Sequence, residues 1–222
     1  MKAIILGGIG SNSKHLLRTI NIYKNKGIKP IFYEADGIFG NNLYRPKIYR
    51  KKSIDIIRDI EVEKSPYILH CLSGSNWLGY TINSKIPASS IILESSPLEP
   101  SIASFQNFIR VNYNMDISRS LVEIGMKTLQ IPTDSDSYFH KWYSENKPSH
   151  NTLILIGCKD KLIKMDYIKK EYITSNSNNK LILFKKSGHC NISKYEPDLY
   201  REVLENVIVK TTHMCHLKCK TG

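Results

Sequence analysis

Short apolar segments, separated by helix-like segments, constrain the fold of this chain more than any other sequence feature. Each apolar segment is rich in β-branched residues and lacks the alternation of a strand with one face in water. The stretches between them repeat apolar residues at helical spacing, as Leu16, Ile20 and Tyr23 do before Gly27. This arrangement predicts an α/β fold with a mostly parallel sheet of about six strands flanked by helices. The predicted strands are residues 3–7, 28–35, 67–72, 90–93, 152–156 and 180–184, and the clearest predicted helices are 14–26, 51–60 and 197–209.

One segment interrupts this regular pattern, at about residues 98–150. It separates two predicted strands by mainly helical, aromatic-bearing sequence, and an insertion of this length in an α/β unit is usually a cap or lid. We therefore expect a single domain over residues 1–210 that carries this cap insertion. Residues 211–222 lack a packing pattern and are expected to form a flexible C-terminal tail.

The charge balance is unusual, since 32 Lys and Arg residues against 20 Asp and Glu residues give a formal net charge of +12. The basic residues are spread along the chain, and the densest group is Tyr49-Arg50-Lys51-Lys52. No basic block interleaved with aromatic residues and no nucleic-acid motif is present. The charge is therefore interpreted as a solvated surface, and no nucleic-acid partner is expected.

The cysteines and the apolar segments bear on the cellular compartment of the protein. The chain has 5 cysteines, an odd and scattered set that is typical of free thiols in a reducing compartment. Met1-Lys2 leads directly into a predicted strand rather than a signal peptide, and no apolar run approaches the ~18 residues of a membrane span. We expect a cytoplasmic, non-secreted protein, with peripheral membrane contact left open.

A candidate nucleophile follows the third predicted strand. A strand that turns sharply into a helix presents one side chain at the top of a sheet and needs small residues two positions before and after it. Ser73 meets this requirement with Cys71 and Ser75, whereas Ser75 itself has the bulky Trp77 two positions on. Ser73 is therefore the better candidate nucleophile.

An acid and a histidine follow the fifth and sixth predicted strands. Asp160 lies in Gly157-Cys158-Lys159-Asp160, and His189 lies in Ser187-Gly188-His189. The order Ser, Asp, His, each just after a strand, is that of the α/β-hydrolase triad, in which the histidine takes the serine proton and the acid orients the imidazole. Catalysis of this kind needs no metal or cofactor, and none is expected.

Two further groups of residues complete the predicted site. Backbone N–H groups of Gly74 and of Gly8 or Ile9 are candidates for an oxyanion hole, because one donor should follow the nucleophile and the other the first strand. In the cap insertion, Phe105, Phe108 and Trp142 are candidates to line an acyl pocket, although they could equally form the insertion's own core.

Several alternatives remain open at this stage. Glu94 also follows a strand and could replace Asp160 as the acid, while His70 is interpreted as a core histidine. The run Gly8-Ile9-Gly10 with Glu34 and Asp36 further on is close to a dinucleotide-binding fingerprint. The tail contains metal-ligand types at a spacing that matches no closed zinc site, namely His213, Cys215, His216 and Cys219.

Four segments together resemble the transmembrane protein 53 / PaxU-like group of α/β-hydrolase-fold proteins. They are residues 4–10 with His15-Leu16 and Tyr23, the elbow 70–75, the strand 91–97, and Asp160 with 187–189, Pro197 and Tyr200. The resemblance implies the α/β-hydrolase fold and Ser73, Asp160 and His189 as the triad. This chain departs from the group's pattern at Gly8, Ser75 and Glu94, which bears on the shape of the oxyanion pocket.

The function that these observations predict is a serine hydrolase that cleaves a carboxylic ester or related acyl bond of a small molecule or lipid. Two alternatives are a binding or regulatory protein of the same fold with weak catalysis and a dinucleotide-binding enzyme.

Overall fold

A six-stranded sheet with helices on both faces forms the centre of the protein in the computed structural model. The structure describes residues 1–8, 14, 16–33, 46–63, 65–96, 102–128, 152–163 and 179–220.

All neighbouring strands in the sheet run parallel, in the order β2-β1-β3-β4-β5-β6. The predicted parallel α/β sheet is therefore confirmed. Most predicted strand bounds agree with the observed ones to within a residue or two. The strands are β1 (Lys2–Leu6), β2 (Lys29–Tyr33), β3 (Tyr67–Leu72), β4 (Ser90–Glu94), β5 (Thr152–Gly157) and β6 (Lys180–Phe184).

Helices connect the strands and cover both faces of the sheet. They are α1 (Leu17–Asn25), α2 (Pro46–Glu63), α3 (Asn76–Lys85), α4 (Ile102–Tyr113), α5 (Arg119–Thr128), α6 (Ile192–Tyr195) and α7 (Pro197–Lys220), and a 3₁₀ turn at Ser73–Ser75 joins β3 to α3.

Successive residues of each strand point to opposite faces and fill two separate cores. In β1, Ile4 and Leu6 join a cluster with side chains of α2 and α3, whereas Ala3 and Ile5 join a cluster with side chains of α1 and α7. Every residue of β1, β3 and β5 is buried, which explains why these segments show no polar alternation.

Helix α1 ends at the glycine that the sequence predicted as its stop. Gly27 has a φ angle of 71°, in the left-handed region that glycine adopts without a Cβ penalty. Its N–H donates to the carbonyl of Lys24, and the N–H of Ile28 donates to the carbonyl of Tyr23. The chain thus reverses in one short turn and enters β2.

The last helix is longer than the sequence predicted. Its predicted end is at residue 209, but α7 continues to Lys220. Thr211 is buried, its hydroxyl lies 2.7 Å from the hydroxyl of Ser90 at the start of β4, and it also donates to the carbonyl of Val207. The chain therefore continues as a helix that still contacts the sheet at residue 211, at the start of the segment expected to be a flexible tail.

Helices α4 and α5 lie within the predicted cap insertion at 98–150, and the remainder of that insertion falls outside the described residues. In the described part of the chain, no helix combines the length and apolar character needed to cross a bilayer.

The packing of α3 against β3 leaves no room for a side chain at Gly79. A Cβ there would lie 2.4 Å from Sγ of the buried Cys71. We expect Gly79→Ala to lower the free energy of unfolding by about 1–3 kcal/mol, the usual cost of overpacking. Urea denaturation of the variant measures this cost.

Two control variants make the Gly79 experiment specific. Cys71→Ala/Gly79→Ala removes the opposing sulfur and should recover most of the loss, whereas Gly74→Ala should be nearly neutral because a Cβ at Gly74 meets nothing within 4 Å. Equal stability of the Gly79→Ala and Gly74→Ala variants would contradict the tight contact between α3 and β3.

Candidate active site

The order of the sheet creates a crevice between β1 and β3. The chain leaves β1 for β2 on one side and returns to β3 on the other side, and ligands in open α/β sheets bind at such a switch point, beyond the carboxyl ends of the strands. Gly8 follows β1 and Ser73 follows β3, so the two residues meet at this crevice.

Ser73 occupies a strained turn between β3 and α3. Its φ angle is 53°, in the left-handed region, which costs a non-glycine residue about 1–2 kcal/mol. A Cβ on Gly8 would lie 2.8 Å from Cβ of Ser73 and 3.1 Å from the carbonyl oxygen of Leu72. Glycine is therefore required at position 8 for the first loop to approach the elbow this closely.

Ser75 holds the elbow in this conformation. Its buried hydroxyl accepts the N–H of Leu72 at 3.0 Å and lies 2.9 Å from the carbonyl oxygen of Leu6 and 2.8 Å from that of Leu72, two acceptors for its single proton. The hydroxyl thus ties the end of β1 to the turn after β3. This contact accounts for a serine where the usual elbow motif has glycine.

Asp160 lies in the loop after β5 with a side chain that is fully buried. Its Oδ1 accepts the N–H groups of Leu162 at 2.8 Å and Ile163 at 3.0 Å, while its own N–H donates to the carbonyl of Gly157. These bonds fix the carboxylate and leave Oδ2 for another partner.

His189, in the loop after β6, contacts both of the other candidates. Its Nδ1 lies 2.9 Å from Oδ2 of Asp160, and its Nε2 lies 3.0 Å from Oγ of Ser73. An Nδ1–H that donates to the buried carboxylate leaves Nε2 free to accept the serine proton. The three predicted residues thus form one hydrogen-bonded row across the crevice.

The loop that carries His189 is fixed by side chains on either side of it. Oε2 of Glu196 accepts the N–H of Lys186 at 2.8 Å and the hydroxyl of Ser187 at 2.7 Å, and Oδ1 of Asn191 accepts the N–H of Gly188 at 2.7 Å. Burial raises the pKa of Glu196, but the hydrogen bonds from Ser187, Lys186 and Lys185 and the charge of Lys186 together outweigh burial and keep this pKa below its usual value.

Backbone contacts join the His189 loop to the Asp160 loop. The N–H of Lys159 donates to the carbonyl of Ser187 at 2.8 Å. A Cβ on Gly157 would lie 2.4 Å from that same carbonyl oxygen. The two loops therefore lie in direct contact only because residue 157 has no side chain.

Backbone strain is concentrated at this edge of the sheet. Among the described residues other than glycine, positive φ angles occur at Ser73 (53°), Ser95 (48°), Cys190 (49°) and Asn114 (52°). The first three follow β3, β4 and β6 respectively. Strain of this kind persists where the surrounding structure holds it, and it is common at functional sites.

Charges around His189 favour its protonated form. Burial lowers the pKa of the imidazole, but the electrostatic interaction with Cys190, the hydrogen bonds to Asp160 and Cys190, and the charge of Asp160 outweigh burial. Together they raise the pKa of His189 from 6.5 to about 10.

The structure describes only part of the predicted oxyanion and acyl pockets. Gly8 and Gly74 flank Ser73, and the space beside Gly74 is open, while Ile9 lies outside the described residues. Phe105 and Phe108 belong to α4, but their side chains are outside the described part of the structure, as is the whole of Trp142.

The alternative acid, Glu94, has other partners. Its Oε2 lies 3.2 Å from Nε2 of His70 and accepts the hydroxyl of Tyr200 at 2.7 Å. His70 is fully buried, as expected of a core histidine. Glu94 therefore belongs to the sheet's interior, and Asp160 is the carboxylate that contacts His189.

The remaining sequence alternatives involve residues that are described only in part. Gly8, the first glycine of the dinucleotide-like run, lies against Ser73, and Gly10, Glu34 and Asp36 lie outside the described residues. In the tail, His213 is exposed and the thiol of Cys215 lies 3.6 Å from the hydroxyl of Ser89, while the side chains of His216 and Cys219 are not described.

Sequence reasoning missed the residues that support the row. Asn191 and Glu196 hold the His189 loop, and Ser95 accepts a hydrogen bond from the same loop. Only Ser95 carried a usable signal, since it lies two residues after the predicted strand 90–93, close to the position that Ser73 has after its own strand.

Comparison with solved structures places this architecture among known folds. The chain is similar to Est1E from Butyrivibrio proteoclasticus, with a TM-score of 0.65, 12% identity, and coverage of 95% of this chain and 88% of that one. It is also similar to an esterase of Pyrococcus furiosus, with a TM-score of 0.65, 13% identity, and coverage of 94% and 81%. An α/β hydrolase from a metagenome of sediments of the Mar Chica lagoon, Morocco, gives a TM-score of 0.61, 15% identity, and coverage of 94% and 91%.

No family model and no curated protein matches the sequence. The strand order, the parallel direction of the strands and these likenesses show that the chain has the α/β-hydrolase fold.

Substitution of Gly8 tests whether its close approach to Ser73 is needed to place the serine in the elbow. Gly8→Ala places a methyl group against the main chain of Leu72 and Cβ of Ser73, so the elbow must shift and Ser73 loses its present alignment with His189. We expect the reaction of Ser73 with a fluorophosphonate to slow by at least about a hundredfold, the cost of a misplacement of about 1 Å.

Gly188→Ala is the matched control for Gly8→Ala. Its added Cβ finds its nearest neighbour at 3.4 Å, an ordinary contact, so labelling should change by less than about threefold. Equal labelling rates for the Gly8→Ala variant and the unmodified protein would show that the elbow does not depend on this approach.

The raised pKa of His189 predicts how the site responds to pH. Only the neutral imidazole can accept the serine proton, so labelling of Ser73 should rise as the pH increases from 6.5 toward about 10. The stability contributed by the protonated imidazole is present below its ordinary pKa and is lost as the pH rises through about 10.

Cys190→Ser tests the cause of this shift. Removal of the ionisable thiol should lower the pKa of His189 and move the labelling profile to lower pH, as measured by rate against pH. An unchanged midpoint of the profile of labelling rate against pH would mean that Cys190 has no electrostatic effect on the imidazole of His189.

Proposed function

We propose that the protein is a serine hydrolase that cleaves a carboxylic ester or a related acyl bond. The observation that carries the proposal is the continuous row from Oγ of Ser73 through His189 to the buried carboxylate of Asp160, with contacts of 3.0 and 2.9 Å. Its support is that the row joins three residues far apart in sequence, each just after a strand of an α/β-hydrolase sheet.

In the first half of the proposed reaction, Oγ of Ser73 attacks the carbonyl carbon while Nε2 of His189 takes the hydroxyl proton. Asp160 stabilises the imidazolium and keeps its Nδ1–H oriented. The tetrahedral intermediate then collapses, the bond to the leaving group breaks, and His189 returns the proton to the leaving oxygen. The product alcohol departs and an acyl ester on Ser73 remains.

In the second half, His189 removes a proton from water and the resulting hydroxide attacks the acyl carbon. Collapse of this intermediate releases a carboxylic acid and returns the proton to Ser73. In both halves the oxyanion would be held by the N–H of Gly74 and by an N–H of the first loop, at Gly8 or Ile9. Removal of one such donor typically costs about 10²–10³ in kcat.

We also propose that the chain is a member of the transmembrane protein 53 / PaxU-like group. Support comes from the four matching segments, because three of them coincide with the turns after β1, β3 and β4 and the fourth contributes Asp160 and His189. Small-molecule or lipid esters are the substrate class that this proposal includes, and the protein needs no cofactor for the reaction.

Labelling with a fluorophosphonate probe tests the proposed reaction directly. The unmodified protein should form a covalent adduct, Ser73→Ala should form none, and His189→Ala should react at least about a thousandfold more slowly because the base is missing. Turnover of short-chain ester substrates, measured in parallel, should follow the same order.

Ser84→Ala is the matched control, since Ser84 is an exposed serine of α3 whose hydroxyl donates, within the described part of the chain, to the carbonyl of Thr81. It should label as the unmodified protein does. No adduct and no turnover in the unmodified protein would favour a binding protein of the same fold, and saturable binding of a nicotinamide nucleotide would favour a dinucleotide-dependent enzyme.

A further inference from the structure

A cluster of buried polar side chains lies outside the proposed triad. It joins β3 and β4 to helices α1 and α7, and its members are between 0 and 2% exposed. The proposed reaction uses none of them. They are Thr19, Tyr23, His70, Glu94 and Tyr200.

Hydrogen bonds connect the members of this buried cluster and meet at Glu94. The hydroxyl of Tyr200 donates to Oε2 of Glu94 at 2.7 Å, and Nε2 of His70 lies 3.2 Å from the same oxygen. On the far side of the imidazole, Nδ1 of His70 lies 3.1 Å from the hydroxyl of Tyr23. Because the proton of Tyr200 is used toward Glu94, Tyr200 accepts the hydroxyl of Thr19 at 2.9 Å.

Both tyrosines remain donors throughout the ordinary pH range. Burial raises the pKa of Tyr23 and of Tyr200 far above the usual value, and the negative charge of Glu94 raises both further. The hydroxyl of Tyr200 therefore keeps its proton and its hydrogen bond to Glu94 across this range.

Ser95 connects the buried cluster to the His189 loop. It directly follows Glu94, and its N–H donates to the carbonyl of Leu155 on β5 at 2.8 Å. Its φ angle of 48° aims the side chain away from the strand path, and its buried hydroxyl accepts the N–H of Cys190 at 3.0 Å. Cys190 is the residue immediately after His189 and also has a positive φ angle, of 49°.

We propose that Ser95 is a positioning residue for His189 and that the Glu94-centred buried cluster fixes Ser95 in this role. Its importance for catalysis rests on the proposed hydrolase function, whereas the placement of the imidazole is measurable without turnover. The 3.0 Å contact between Ser73 and His189 makes placement critical, because a misplacement of about 1 Å costs about a hundredfold in rate.

The first experiment compares Ser95→Ala with Ser96→Ala. Ser96 is an equally buried neighbour, but among the described residues its hydroxyl bonds to the carbonyls of Cys71 and Glu94, both at 3.3 Å, and not to the His189 loop. The readouts are the titration of the His189 imidazole by NMR on protein labelled with ¹⁵N-histidine, assigned with His189→Ala, and the rate of fluorophosphonate labelling.

Ser95→Ala should shift the His189 titration and slow labelling by roughly tenfold, the effect of one lost hydrogen bond. Ser96→Ala should leave the titration unchanged and the labelling rate within about twofold. Ser95→Gly removes the same hydroxyl while it relieves the positive φ angle, so it should reproduce the Ser95→Ala result in a protein at least as well folded.

The second experiment asks whether the buried cluster acts through Ser95. Tyr200→Phe removes one donor to Glu94 at a distance from the crevice and should slow labelling by a few-fold. If it acts through Ser95, the double variant Ser95→Ala/Tyr200→Phe should label no more slowly than Ser95→Ala alone. Fully additive losses would overturn the role of the cluster.

The outcomes separate this inference from the proposed function. If Ser95→Ala and Ser96→Ala affect the His189 titration equally, or not at all, Ser95 has no positioning role. If the unmodified protein does not label but only Ser95→Ala shifts the titration, the positioning role stands and the hydrolase function fails.

Discussion

All described strands of the sheet run in the same direction, so their carboxyl ends meet at one edge, and every residue of the candidate site is placed by that constraint. Ser73, Asp160 and His189 are far apart in sequence, yet each needs only a short turn after its strand to reach the others. The first loop comes from β1, which pairs directly with β3, and therefore lies against the elbow. The site is thus a consequence of sheet topology first and of side-chain chemistry second.

The loops at the carboxyl edge of the sheet approach one another closely at glycine residues, and residues with a strained backbone keep them in place. Gly8 and Gly157 admit backbone contacts that any Cβ would block. Ser73, Ser95 and Cys190 adopt left-handed conformations that cost each about 1–2 kcal/mol. Their hydrogen bonds, such as that between Cys190 N–H and the Ser95 hydroxyl, offset part of this cost. Burial of the Ile and Leu side chains in the sheet core, at ~1.5–3 kcal/mol each, also offsets the cost of the strained backbone.

The parts of the structure that depend on local sequence were predictable, and the parts that depend on distant contacts were not. Unalternated apolar segments identified the strands, and the order of Ser73, Asp160 and His189 identified the row, because each signal lies within a few residues of chain. By contrast, the packing of α7 at Thr211 involves a contact with Ser90, and the burial of Glu94 involves a hydrogen bond from Tyr200. No local sequence pattern predicts a hydrogen bond between residues more than a hundred positions apart. Glu94 therefore remained an alternative candidate for the catalytic acid in the sequence analysis.

The position of Tyr200 in the chain has a consequence for biosynthesis. A nascent chain that has completed β4 already contains Glu94 and His70, but not the hydroxyl of Tyr200 that donates to Glu94. Burial of a carboxylate with an incomplete set of donors is costly, so the sheet interior gains the stability of this contact only when Tyr200 in α7 has been translated. His189 precedes Tyr200 closely in the sequence, so the contact between Ser73 and His189 forms at nearly the same stage of synthesis. The two contacts therefore both wait for the same short segment of chain, long after β3 and β4 have been made.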